Sequence, residues 1–194
     1  MLLSQDEARF PMVPTLVRTL GVKGRRPVVG TRDDKDLFYL FASLDLVTGR
    51  LVRHGVVSEQ RQRRREGTHK TRRLAHAFAR HLDAVARAYP AERHARVVLT
   101  IDNAPWHAGE PVKAALARHP HLELYRLPSY SPQLNVIERL WKVLRAEATH
   151  NRLFAHVHAL AGALDRTIRR LARRRRPLLT LILSAKKRAK SSAG

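Results

Sequence analysis

Residues 95–107 read ARVVLTIDNAPWH, an apolar run that stops on an aspartate followed at once by an asparagine. Continuous apolar character between polar flanks is the pattern of a strand buried on both faces, as in parallel sheets covered by helices. Asp102 then stands at the carboxyl end of such a strand, where open α/β sheets collect their ligand sites. The pair Asp102–Asn103 is also of the type favoured in ordinary turns. Both readings stand at this point.

Outward from that strand the pattern alternates. Upstream, Leu74, Ala77, Phe78, Leu82, Val85 and Ala86 recur at helical spacing between Thr71 and Tyr89. Downstream, EPVKAALARH reads as a short helix with Pro111 in its first turn, and LELYRL as another strand. The segment LFYLFASLDLVTGRLVRHGVV gives two apolar runs joined by VTGR, a hairpin signal. MLLSQDEARF reads as a short strand clipped at its start and ending at Asp6. Residues 11–35 read as irregular, with RPVVGT as a short strand, and residues 58–73 as a basic loop entering a helix. VIERLWKVLRAEATH is amphipathic, and a further helix covers about residues 156–173. The order predicts an α/β fold with a mixed five-stranded sheet: three antiparallel strands, then two parallel to the first, flanked by helices.

Bulk composition narrows the function. The 194 residues suffice for one domain with a sizeable core, and 44% are hydrophobic, an ordinary globular share. Thirty-eight Lys and Arg oppose sixteen Asp and Glu, a net charge of +22. A compact chain with that excess repels itself unless a polyanion neutralises it, so nucleic acid is the leading partner. No cysteine is present, which removes disulfides, thiolate zinc sites and thiol nucleophiles. PLLTLIL at 177–183 is far shorter than the ~20 residues of a membrane span, and no secretory signal is visible. The expectation is a cytoplasmic, nucleoid-associated protein with DNA and no membrane.

Against this basic background three acids stand out. Asp6 and Asp102 close strands that come to one edge if the two are parallel neighbours. Glu138 opens a helix whose apolar stripe runs Ile137, Leu140, Trp141 and Leu144. Carboxylates gathered together repel unless a cation joins them. Divalent magnesium needs only two or three such hard oxygens and keeps several waters. Each acid also has a plain reading: a turn at Asp102, a capping box from Asn135 to Glu138, a surface acid at Asp6 beside Glu7. Of Asp6 and Glu7, either could be the functional acid.

The segments IDNAPWH and LPSYSPQLNVIERLW, with QDEARF before them, resemble the signature of insertion-sequence DDE transposases of the mariner-related superfamily. Thirty-five residues lie between Asp102 and Glu138, within that group's usual gap. The likeness runs from residue 1 to about 175. It implies an RNase H-like fold and a DDE endonuclease that cleaves DNA and transfers strands using Mg²⁺ or Mn²⁺, with two ions. Asp6, Asp102 and Glu138 match the catalytic, metal-binding acids; Asp45 is the competing first acid, which the resemblance places on the second strand facing the hairpin end; Asn103, His107 and Asn135 match supporting positions. Arg139, Lys142 and Arg145 beside the third acid, with Lys23, Arg25 and Arg26, are the candidate DNA contacts. Tyr130, Ser131 and Pro132 shape the loop before Glu138, and Trp141 anchors its helix. The sequence departs from the pattern at Ser129 and Val136, where prolines are usual.

Relatives carry an N-terminal helix-turn-helix domain that these residues do not include. The expectation is therefore a catalytic domain over residues 1–175 with a basic tail at 176–194, from a truncated copy or a transposase split between two frames. The alternative is a catalytically inactive DNA-binding remnant. Homodimerisation is compatible with the sequence but not read from it.

Overall fold

In a computed structural model, which describes residues 1–25, 27–31, 33–67, 69–129 and 135–183, the chain forms a five-stranded mixed sheet between two layers of helix. The strands are β1 (Leu2–Pro11), β2 (Leu37–Asp45), β3 (Leu51–Ser58), β4 (Val97–Ile101) and β5 (Leu122–Arg126). Their order across the sheet is β3-β2-β1-β4-β5. β1, β2 and β3 pair antiparallel, whereas β4 pairs parallel with both β1 and β5. This is the strand arrangement the sequence predicts.

Among the described residues six α-helices flank the sheet: α1 (Gln60–Glu66), α2 (Lys70–Ala88), α3 (Glu110–Arg118), α4 (Glu138–Leu144), α5 (Val157–Arg173) and α6 (Arg175–Leu183). The core divides at the sheet. On one face Leu74, Phe78, Leu82 and Val85 of α2 pack against Leu3, Phe41, Val97 and Leu99. On the other, Ile137, Trp141 and Leu144 of α4 and Leu160, Leu164 and Ile168 of α5 cover Phe10, Leu40 and Leu44. β1 and β2 contribute to both clusters because alternate residues of a strand point to opposite faces.

Three expectations change. β1 does not end at Asp6: it continues to Pro11, fully paired with β2 as far as Pro11↔Leu37. RPVVGT forms no strand across its described residues 27–31. Residues 176–183, expected to open the tail, belong to α6, where Leu178 is 2% and Ile182 0% exposed within the second core cluster. The arginine run masks this helix in the sequence, since PLLTLIL is too short to show a helical period unaided. Residues 130–134, including Tyr130, Ser131 and Pro132, and the tail lysines Lys186–Lys190 lie outside the described residues. Among the described residues no helix is long and apolar enough to cross a membrane.

Candidate metal centre

The register of the sheet builds the site. β4 pairs with β1 only from Leu2↔Val98 to Ser4↔Thr100, while β1 remains bonded to β2 for seven more residues. Beyond Ser4, therefore, one side of β1 is open. Continuing the register sets Asp102 level with Asp6 at the point where β4 turns away. Consecutive strand residues project to opposite faces, so Asp6 and Glu7 approach this opening from either side. Carboxylate oxygens of Asp6, Glu7 and Asp102 lie within 4.8 Å of one another. They are the group of three acids with metal-ligand spacing found among the described residues.

Each acid is held by a different partner. Trp141 Nε1 donates to Asp6 Oδ2 at 2.8 Å. Burial, with the charge of neighbouring Glu7, pushes the Asp6 carboxyl up to about 7, against the lowering effect of the Trp141 bond. Asp102 Oδ1 accepts from Ala104 N at 2.9 Å, the Asx turn of the plain reading, and lies 3.2 Å from His107 Nδ1. The turn reading of Asp102 is thus met, and the turn leaves its carboxylate beside those of Asp6 and Glu7. The His107 contact holds the Asp102 carboxyl below its usual range, with burial opposing and Ala104 N helping.

His107 is 2% exposed and sits between two carboxylates. Its Nε2 stands 3.5 Å from Glu7 Oε2, an ion-pair contact, and its ring packs on Phe78 at 4.4 Å between centroids. Burial disfavours its charge, but Asp102 and Glu7 outweigh burial and push it up to about 9. At neutral pH His107 is therefore a buried imidazolium that partly offsets the clustered acids.

Glu138 opens α4 from its first turn and is half-buried. It is not part of the 4.8 Å group. Two anchors three residues to either side fasten its helix to the Asp6 face of β1. Ser4 Oγ donates to Asn135 Oδ1 at 3.4 Å, and Trp141 reaches Asp6. Asn135 is thus spent on β1, and α4 carries no side-chain cap, so the capping box is not formed. Asn103 Nδ2 donates to Leu127 O at 2.9 Å and ties the end of β4 to the end of β5. Asp45 lies at the hairpin end as expected, accepting from Val47 N, Thr48 N and Thr48 Oγ1, away from the other acids.

The candidate cations divide. Lys142 is exposed, while Arg145 lies over the Phe10 ring at 5.3 Å. Arg139 donates to Ile182 O, holding α6 against α4, so its guanidinium is committed within the fold. Nothing in the sequence marks that long-range acceptor. Lys23 and Arg25 are exposed in the loop between β1 and β2, and Arg26 lies outside the described residues. Glu7 is the acid that sequence reasoning weighed but did not select. The signal available was its strand parity: two adjacent acids at an open edge can both reach it.

All the oxygens gathered here are hard donors, and Glu7 Oε2 is buried without a hydrogen-bond partner. Together with the raised Asp6, these features fit a divalent cation.

Known proteins share this geometry's setting. Residues 1–161 match the model of the DDE superfamily endonuclease family. A protein of insertion element IS630 from Shigella sonnei, described as an uncharacterized 39 kDa protein, is 25% identical over 147 residues, covering 76% of this chain and 38% of the relative. An uncharacterized protein of Sinorhizobium fredii is 33% identical over 78 residues, covering 40% of this chain and 53% of its own length. The chain thus spans roughly 38–53% of the curated relatives it matches. Among solved structures, the catalytic domain of Mos1 mariner transposase superposes with a TM-score of 0.56 at 17% identity, over 93% of this chain and 78% of that one. The Mos1 paired-end complex with Mg superposes with a TM-score of 0.61 at 17% identity, over 93% and 53%. The fold is the RNase H-like one that the motifs imply.

Proposed function

The chain belongs to the DDE superfamily endonucleases, and from that premise we propose that it is the catalytic domain of an insertion-sequence transposase, cutting and joining DNA with divalent metal. The observation that carries this reading is the meeting of Asp6, Glu7 and Asp102 at one open strand edge in a chain of net charge +22.

Asp6 and Asp102 would hold Mg²⁺ or Mn²⁺, and Glu138 would complete the set from α4. Two ions fit the number of carboxylates offered. When bound, divalent cations supply Lewis-acid activation of water and of the scissile phosphate. The rest falls to side chains. His107 fixes Asp102 Oδ1 in place and offsets local negative charge. Trp141 fixes Asp6 Oδ2 and with it the carboxylate's orientation. Asn135 sets the start of α4 against Ser4 and so positions Glu138. Lys142 and neighbouring exposed cations would hold the DNA.

In the reaction, the water oxygen bonds to phosphorus as the bond to the 3′-oxygen breaks, and that oxygen takes up a proton. The freed 3′-hydroxyl then attacks a phosphodiester of target DNA, exchanging one P–O bond for another. Neither step forms a covalent protein–DNA link.

The test is Mn²⁺ binding by calorimetry together with nicking of DNA carrying the element's ends, with and without metal. Metal-dependent nicking supports the proposal. Tight DNA binding with neither metal binding nor nicking would mark an inactive remnant instead.

A further inference from the structure

A cavity of about 420 Å³ lies on the α2 face, beside the free edge of β3. Its floor is Tyr39, Val56 and Leu74, and its walls come from α1 and the first three turns of α2. Among the described residues no Asp or Glu lines it, whereas Arg63, Lys70, Arg72, Arg73 and Arg80 all do. Arg72, His76 and Arg80 recur every four residues, so they form one exposed stripe along α2. Eight residues at 1.5 Å each make this stripe roughly 12 Å long. That matches about three or four successive phosphates of one DNA strand, at ~3.4 Å per nucleotide along the axis.

One end of the groove, at Lys70, lies toward the candidate metal centre. Lys70, opening α2, sits 5.2 Å above the ring of Trp106, and Trp106 makes an edge contact with His107. The amino end of α2 thus meets the same carboxyl-end rim of the sheet that carries Asp102.

Arg63 braces its wall, donating to Ser58 O and Lys35 O. Arg80, with Arg87 further along α2, holds His54 on β3 below its ordinary range, after burial. A cationic track of this kind is stabilised by a polyanion lying along it.

We propose that this groove binds the backbone of the DNA flanking the scissile phosphate, carrying one strand away from the carboxylate rim along α2. The proposal rests on the reading of the rim as a DNA-cleaving site. A mononucleotide would use one turn of the stripe; a strand uses its length.

The test measures duplex DNA affinity of the full chain across a salt series. Arg72→Gln/Arg80→Gln is compared with Arg166→Gln/Arg173→Gln, which removes the same charge from exposed positions on α5, across the sheet. The groove variant is expected to flatten the slope of log K against log salt by roughly 0.9 for each phosphate no longer neutralised, close to two in all. The α5 variant is expected to change it much less. An unchanged slope in the groove variant overturns the proposal, as does an equal change in both. A thermal melt of each variant confirms that the fold survives. If the groove slope falls as expected while wild-type protein with Mn²⁺ never nicks DNA, the cleavage reading fails and the groove stands. Nicking with no groove effect is the reverse case.

Discussion

Trp141 Nε1 and Asp6 Oδ2 are 2.8 Å apart, joining the helix that carries Glu138 to the strand that carries the first acid. The indole is 3% exposed and its ring meets Phe10 edge-on at 6.5 Å between centroids. One residue thus packs the core and orients a carboxylate, and it lies three positions from Glu138, on the neighbouring face of the same helix.

Trp141→Phe keeps most of the packing and removes the donor. A hydrogen bond to a charged group contributes ~1.5–3 kcal/mol. Mn²⁺ affinity at pH 7 should fall about tenfold to a hundredfold and recover in part at higher pH, where Asp6 ionises without help. Calorimetric titration at pH 7 and 8.5 checks this. Equal affinity in variant and wild type would remove Trp141 from the metal pocket.

Asp102→Asn should abolish metal-dependent nicking while leaving duplex binding intact or slightly tighter, since one negative charge near the phosphates is removed. Asparagine can still accept from Ala104 N, so the turn survives. Retained cleavage would exclude Asp102 from the chemistry.

Metal-free stability should fall as pH rises from about 6.5 to 9, whereas below that range buried His81, pushed down to about 3, gains stability with rising pH and opposes Asp6. Asp6 titrates near 7 in the folded chain against 3.8 ordinarily, so the native state holds its proton more tightly. Ionising it between about pH 4 and 7 costs about 4 kcal/mol at ~1.4 kcal/mol per unit. His107, raised from 6.5 to about 9, stabilises fully below its ordinary value and loses that contribution as pH climbs through 9. Melting in chelator should show a falling Tm between pH 6.5 and 9. Added Mn²⁺ should raise Tm most at the alkaline end, where it no longer displaces a proton. A flat Tm over that range in chelator would contradict the hold of Asp102 and Glu7 on His107.

Ile182→Ala should destabilise the domain by ~2–5 kcal/mol, as truncation of a fully buried aliphatic does. Denaturant unfolding measures it. A change near zero would mean that α6 is an appendage rather than part of the core.

Much of this fold was legible because its signals are local. The apolar run at Val97–Ile101, the periodic stripe of α2 and the VTGR hairpin each declare themselves within a few residues. The motif likeness drew Asp102 and Glu138 out of a strongly basic chain and placed Asp45 at a hairpin end. What it missed is non-local. Arg139 looks like a DNA contact until α6 folds back to present Ile182 O. The α6 segment looks like tail until Leu178 and Ile182 are seen buried.

The sequence by itself determined most of the elements, the family and the kinds of residue available for chemistry, because helical period, strand alternation and turn residues act over neighbouring positions. Only the tertiary structure decided which acids meet. That follows from the pairing of Ser4 with Thr100, from the end of that pairing two residues before Asp6, and from Trp141 reaching across from α4. Registers between strands so distant in the chain are set by how two cores pack on one sheet, a balance that no short segment contains.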